Sequence, residues 1–242
     1  SFPTRRSSDL ISSFLTQVSI VVIMAVMNNV LVIYGAGSKY GADIPMTVVG
    51  IVMKVFQIVI SVVVGIAAGA QPIVGYNYGA GLWRRVKLIF RTMMAAEFSV
   101  GLVSLICFEV FPVQIISVFG SEDGLYNEFA VLAFRVFLGG IVLCCIQKSC
   151  SIFLQSMGKP ALSMLLSLLR DFVLSVPLTL VLPRFFGVTG ALYSGPAADV
   201  ISFGAAVLCM AAVFRKLNRL EDGEVALSGA SQGGLAVERK IC

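Results

Sequence analysis

The residues that could do chemistry are few, and most lie inside apolar runs. Glu97 is the only acid within the run from Val86 to Phe108, and Gly101 and Ser104 share its helical face. Such an acid is a proton-titrating group, the partner of a basic residue, or a neutral buried acid. Arg170 and Asp171 interrupt one later run and Asp199 the next. Counted from the short connection between these runs, Arg170 and Asp199 fall within about one helical turn of the same depth, which predicts a structural ion pair. Polar residues also recur at helical spacing. Gln17, Met24 and Asn28 form one stripe, with Asn29 beside it. Lys54, Gln57 and Ser61 form a second that continues into Gly65 and Ala68. Arg135 shares a face with Gly139, and Gln147, Ser151 and Gln155 line another. Ionisable groups in apolar spans cost a few kcal/mol, so each is a functional candidate. Lys54, close to a span end, also has the reach to snorkel to the interface.

Other chemistries are excluded by what is missing. The chain has no His, which removes imidazole ligands and the usual general base. Of its cysteines, Cys107, Cys144, Cys145, Cys150 and Cys209 lie in apolar runs without zinc-ligand spacing, and read as small buried hydrophobes; Cys242 is terminal. With no metal-spaced cluster and no nucleophile elbow, the sequence does not read as an enzyme.

The elements that must position these residues are long and apolar. Of 242 residues, 58% are hydrophobic and 13% charged, and the mean hydropathy is +0.95. A soluble domain carries about 25% charged residues, so a polytopic membrane protein is expected. Six segments, 11–34, 46–70, 86–108, 129–154, 161–182 and 191–214, are each long enough to cross a hydrocarbon core of about 30 Å at about 1.5 Å per residue. Without water partners for the backbone each should be helical, giving an all-α fold. The Gly-rich, Pro-containing stretch from Gly65 to Arg91 is expected to break the helix and form a cytoplasmic turn.

Arg84, Arg85 and Lys87, then Lys159, then Arg215, Lys216 and Arg219 occupy alternate connections, while the other connections carry fewer bases and more acids. The basic set is expected in the cytoplasm, with both ends of the chain. Arg84, Arg85 and Lys87 oppose a helix dipole, which anionic headgroups would offset at about 1 kcal/mol each. Residues 1–10 contain FPTRRSSDL, which resembles the translation of a sequencing-adapter oligonucleotide, and are read as a non-native leader. Residues 11–219 form the transmembrane unit. The polar, Gly/Ser-rich stretch 220–242 reads as a disordered cytoplasmic tail.

Two stretches resemble a known family. GAQPIVGYNYGAGLWRRV, through Gly69, Gln71, Pro72, Gly75, Asn77, Tyr78, Gly79, Ala80, Arg85 and Val86, is similar to the second-lobe signature of multidrug and toxic compound extrusion (MATE) transporters. The stretch from Leu154 to Asp199 resembles the MepA-like branch through Gln155, Gly158, Lys159, Pro160, Ser167, Arg170, Pro177, Pro183, Gly187, Gly190, Pro196 and Asp199. The resemblance implies twelve helices in two lobes around a central cavity, of which this chain looks like the second lobe. It implies a bacterial cytoplasmic-membrane antiporter that exports cationic or amphipathic compounds in exchange for Na⁺ or H⁺, with no other cofactor. The missing lobe, the bilayer and small-molecule substrates are the expected partners, and nucleic acid is not.

Asn28, Gln57, Arg135 and Gln147 are the expected cavity residues. In the NorM-like branch, cation binding is associated with a Glu on the seventh helix and an Asp on the tenth. Here the first segment has no acid and the fourth only Glu128 at its outer edge, so the coupling acid is expected in the absent lobe or at Glu97. A lipid-linked saccharide flippase of the same superfamily, suggested by Lys54, Arg135 and Lys148, and a non-transporting membrane scaffold are the alternatives.

Overall fold

The computed structural model describes the backbone of residues 2–119 and 124–241, and side chains at residue 14 and over 17–119 and 124–223. Among them all regular structure is helical: α1 (Phe2–Ala36), α2 (Asp43–Gly79), α3 (Trp83–Val110), α4 (Pro112–Ser117), α5 (Gly124–Leu138), α6 (Ile141–Ser156), α7 (Pro160–Leu168), a π-helical turn (Leu169–Leu174), α8 (Ser175–Val181), α9 (Pro183–Phe186) and α10 (Val188–Ile241). Six stretches are long and apolar enough to span a membrane: Gln17–Ala36, Asp43–Gly79, Trp83–Val110, Gly124–Ser156, Pro160–Phe186 and Val188–Gly223. They contain the six segments expected from hydropathy, apart from the first six residues of the first. The α1 backbone is helical from Phe2 and that of α10 to Ile241. The side chains of the expected leader, and of the expected tail beyond Gly223, lie outside the described residues.

The Gly65–Arg91 stretch breaks the helix as expected, but late: α2 runs through Pro72 to Gly79, and the turn is confined to Ala80–Leu82. Pro72 removes one backbone hydrogen bond, yet α2 continues through it, since a span's remaining backbone groups have no water to turn to. Gly81, at φ 73°, supplies the left-handed residue that stops the helix, and the Leu82 N–H closes the turn on the Asn77 carbonyl at 2.9 Å. The turn after α6 repeats this: Gly158 is at φ 71°, and the Lys159 N–H reaches the Leu154 carbonyl at 3.0 Å. Glu221 on α10 pairs with Lys87 and, at 3.7 Å, with Arg84. A protein carboxylate thus answers the basic start of α3.

The fourth span is the centre of the bundle. It bends at Gly139–Gly140, and its second half, α6, packs against α2, α3, α7 and α10. The sixth span crosses at that bend. A Cβ on Gly140 would lie 2.9 Å from Asp199 Oδ2 and 3.2 Å from Pro196 Cα, so only glycine permits the crossing.

Two apolar clusters fill the two ends. One holds Val52, Val63, Phe108, Phe129, Phe134, Cys145 and Leu192. The other holds Ala67, Val86, Met93, Cys150, Phe153, Ala206 and Met210. Between them lies a waist. In α3 it falls between Met93 and Phe108, in α6 between Cys145 and Cys150, and in α10 between Leu192 and Ala206. Glu97, Gln147, Ser149, Asp199 and Ser202, all buried polar residues, sit at this level. Cys144, Cys145 and Cys150 are buried free thiols, and Cys107 and Cys209 are half-buried free thiols.

Candidate functional site

The waist is built by the fifth span. Pro177 lacks the N–H that an α-helical bond to Val173 would need, and its ring crowds the preceding turn. That turn widens into the π-helix Leu169–Leu174, where the Ser175 N–H and hydroxyl both bond the Arg170 carbonyl, the hydroxyl at 2.8 Å. The disturbance that Pro177 causes in its helix takes this form. The widened turn brings both Arg170 and Asp171 into one inward-facing network.

Arg170 Nε donates to Asp199 Oδ1 at 2.8 Å, and its Nη1 donates to Asp171 Oδ1 at 2.7 Å. The pair expected from depth matching is therefore present. Lys148 Nζ on α6 stands 3.8 Å from Asp171 Oδ2. Arg170 also lies 6.0 Å from the centre of the Phe56 ring, a cation–π contact from α2. These two bases and two acids balance in charge, and none has a side chain more than 18% exposed. Asp171 Oδ2 has no hydrogen-bond donor. The network ties the fourth, fifth and sixth spans together with fixed partners, as a structural junction.

The expected cavity residues do not converge. Asn28 on α1 and Gln57 on α2 are exposed, each on its polar stripe. Lys54 is exposed on the same stripe as Gln57, in an open cleft of about 470 Å³ lined also by Asp43, Thr47, Gly50 and Phe119. Arg135 is exposed but turns toward the end of α3, 3.5 Å from Glu109. Gln147 is fully buried, with its amide donating to the Leu166 carbonyl at 3.2 Å and its Oε1 unpartnered. It therefore faces α7 and no open space within the lobe. Replacing Gln147 by Leu removes one weak bond together with one unsatisfied acceptor at near-constant volume. The expected change in unfolding free energy in detergent is within about 1 kcal/mol, whereas Gln147→Ala should cost more through the cavity it leaves.

Glu97 is fully buried, and neither carboxylate oxygen has a hydrogen-bond partner. No ion pair includes it among the described residues. Sequence reasoning missed the residues that join these sites: Asp171 as the bridge to Lys148, Glu109 as the partner of Arg135, and Ser149 opposite Glu97. The signal for the first was Pro177, whose effect on the preceding turn brings two successive residues into one network. The set Gln71, Pro72, Gly75, Asn77 and Gly79 forms the C-terminal end of α2, where Asn77 donates its amide to the Ile73 carbonyl at 2.8 Å. Gly158, Lys159 and Pro160 form the turn into α7. No group of three or more His, Cys, Asp or Glu capable of holding a metal occurs among the described residues.

The fold is that of known transporters. An outward-facing structure of a multidrug resistance MATE family transporter of the MOP superfamily superposes with a TM-score of 0.77 at 18% identity, covering 86% of this chain and 46% of that one. An inward-facing structure of a multidrug resistance MATE family transporter gives 0.76 at 17%, with 86% and 47% covered. A MOP superfamily transporter from Pyrococcus furiosus, described as having a binding pocket of reverse polarity that suggests a different function, gives 0.71 at 17%, with 87% and 46% covered. This chain thus spans about half the length of these structures. No curated protein sequence matches it. The family model MatE matches residues 12–181. With that match over most of its length and the six-span lobe fold, the chain belongs to the MATE family of membrane transporters.

Proposed function

We propose that this chain forms one lobe of a secondary active multidrug efflux antiporter in the bacterial cytoplasmic membrane. It exports cationic or amphipathic compounds by alternating access, in exchange for Na⁺ or H⁺, with both ends of the chain on the cytoplasmic side. The observation that carries the reading is the pair of exposed polar stripes on α1 and α2, including Asn28 and Gln57, on helices otherwise suited to lipid. Exposed amide side chains in a hydrocarbon layer are costly, so this face belongs against a second lobe or a water-filled cavity. Nearly equal TM-scores to an outward-facing and an inward-facing relative, 0.77 and 0.76, support a lobe that moves as a unit.

The charge pattern favours drug export over a saccharide flippase. Two of the three basic residues that suggested an anion-binding cavity are matched by acids, Arg135 by Glu109 and Lys148 by Asp171, leaving Lys54 alone.

The test is efflux of ethidium from proteoliposomes holding the full-length protein. The wild type should extrude the dye against an imposed cation gradient. Asn28→Ala with Gln57→Ala should cut the rate about tenfold, the loss of two ordinary hydrogen bonds. Dye movement indifferent to the gradient would remove the antiport reading.

A further inference from the structure

We propose that Glu97, facing Ser149 across the α3–α6 contact, is a proton-binding site. The argument begins with what surrounds the carboxyl. Glu97 and Ser149 are both fully buried, and neither the Glu97 oxygens nor the Ser149 hydroxyl makes a well-formed hydrogen bond. Ser149 is nonetheless the side chain that meets the carboxyl from α6, and the Cys145 thiol lies one turn away on the same helix. Gly101, one turn along α3, closes the contact: a Cβ there would come within 3.1 Å of Val142 Cα. The acid is thus sealed at the waist between the two apolar clusters.

Among the described residues no cation is positioned to neutralise it. α3 packs against α2, α4, α5, α6 and α10. On α2, Asp43 and Lys54 are exposed near the far end. On α5, Arg135 is held by Glu109 and Glu128 by Lys39. On α6, Lys148 turns to Asp171, and on α10, Asp199 turns to Arg170. α4 has no charged residue. On α3 itself, Arg84, Arg85 and Arg91 are exposed and Lys87 is bound to Glu221. Among the described residues the remaining bases of α10, Arg215, Lys216 and Arg219, are exposed at the end of the cluster that holds Val213 and Leu217.

An ionised carboxylate buried without a partner is too costly to keep, so the group binds a cation or a proton. A metal ion needs several converging oxygens. Glu97 is met by one hydroxyl and a thiol, while the neighbouring backbone carbonyls are committed within helices. A proton needs one acceptor for its O–H, which Ser149 Oγ supplies. The site therefore takes H⁺ and not Na⁺. Its use in transport rests on the antiport reading above, but its existence does not.

The experiment uses the full-length protein. Infrared spectra in detergent at neutral pH should show a protonated-carboxyl C=O band that is absent in Glu97→Gln, the uncharged isostere. In the wild type the band should fade as pH rises, and Ser149→Ala should move that midpoint. Ser149→Ala also decides the matter if Glu97→Gln fails to fold. Added Na⁺ should leave the band unchanged. Ethidium affinity should differ about 5- to 150-fold between acid and alkaline conditions in the wild type, the range of typical couplings, and be flat in Glu97→Gln. A band unaltered by Glu97→Gln, a band that persists at every pH, or one erased by Na⁺ overturns the proposal. A band that titrates in a protein that neither binds nor exports ethidium overturns the transport reading and leaves the proton site standing.

Discussion

Asp199→Ala should destabilise the lobe by about 3–5 kcal/mol, the usual result of leaving one member of a buried ion pair without its partner. Arg170 would keep Asp171, at 2.7 Å, but lose the acceptor for Nε. Asp171 already answers Lys148 at 3.8 Å, so the waist would carry one uncompensated positive charge. Nothing nearby can take the acid's place, because Asp199 lies against the glycine bend of the fourth span. Asp199→Asn should cost less, since an amide oxygen still accepts from Arg170 although the charge is gone.

The informative comparison is Arg170→Met combined with Asp199→Leu. It removes a base and an acid together, and Lys148 with Asp171 remains a balanced pair. Replacing a whole buried pair by apolar groups is commonly neutral or stabilising by about 1–4 kcal/mol. The double variant should therefore lie well above either single variant in thermal unfolding in detergent. Strict additivity of the two changes, or Asp199→Ala as stable as wild type, would show that the pair holds nothing together.

This pair also marks how far the sequence could be read. Depth is countable from sequence alone: a short connection and a fixed rise per residue bring Arg170 and Asp199 to one level. Rotation is not countable where the helix is not α. Asp171 follows Arg170 directly and on an ideal helix would point about 100° away. The π-turn before Pro177 lets both side chains meet, which drew in Lys148. The same limit applies to Gln147. Periodicity put it on a polar face with Ser151, but not which neighbour that face meets, and the neighbour is the Leu166 carbonyl of α7. At Pro72 the error ran the other way. Residue type suggested a break before Gly79, yet the loss of one backbone bond at Pro72 does not end a helix whose other backbone groups have no water partner. Hydropathy located the six spans because span length and apolarity depend on the solvent, not on the neighbours.

Gly190→Ala should cost close to 3 kcal/mol, the upper part of the range for adding a methyl group where no room exists. An added Cβ would stand 2.5 Å from the Leu182 carbonyl oxygen, 2.6 Å from its carbon and 2.8 Å from Pro183 Cα. All three are backbone atoms, so no rotamer change relieves the clash and the fifth and sixth spans must separate. The separation would propagate, since Thr179 on α8 donates to Ser194 on α10 at 3.0 Å one turn further in. Below that contact lies the Arg170–Asp199 bond, so a parted hairpin also strains the waist. Gly204→Ala, on the same helix with nothing within 4 Å of the added atom, is the control. It should be neutral or stabilising by about 1 kcal/mol through helix propensity. Thermal unfolding of both variants in detergent measures the contrast. Equal midpoints would mean that the hairpin is not tightly closed in the folded protein.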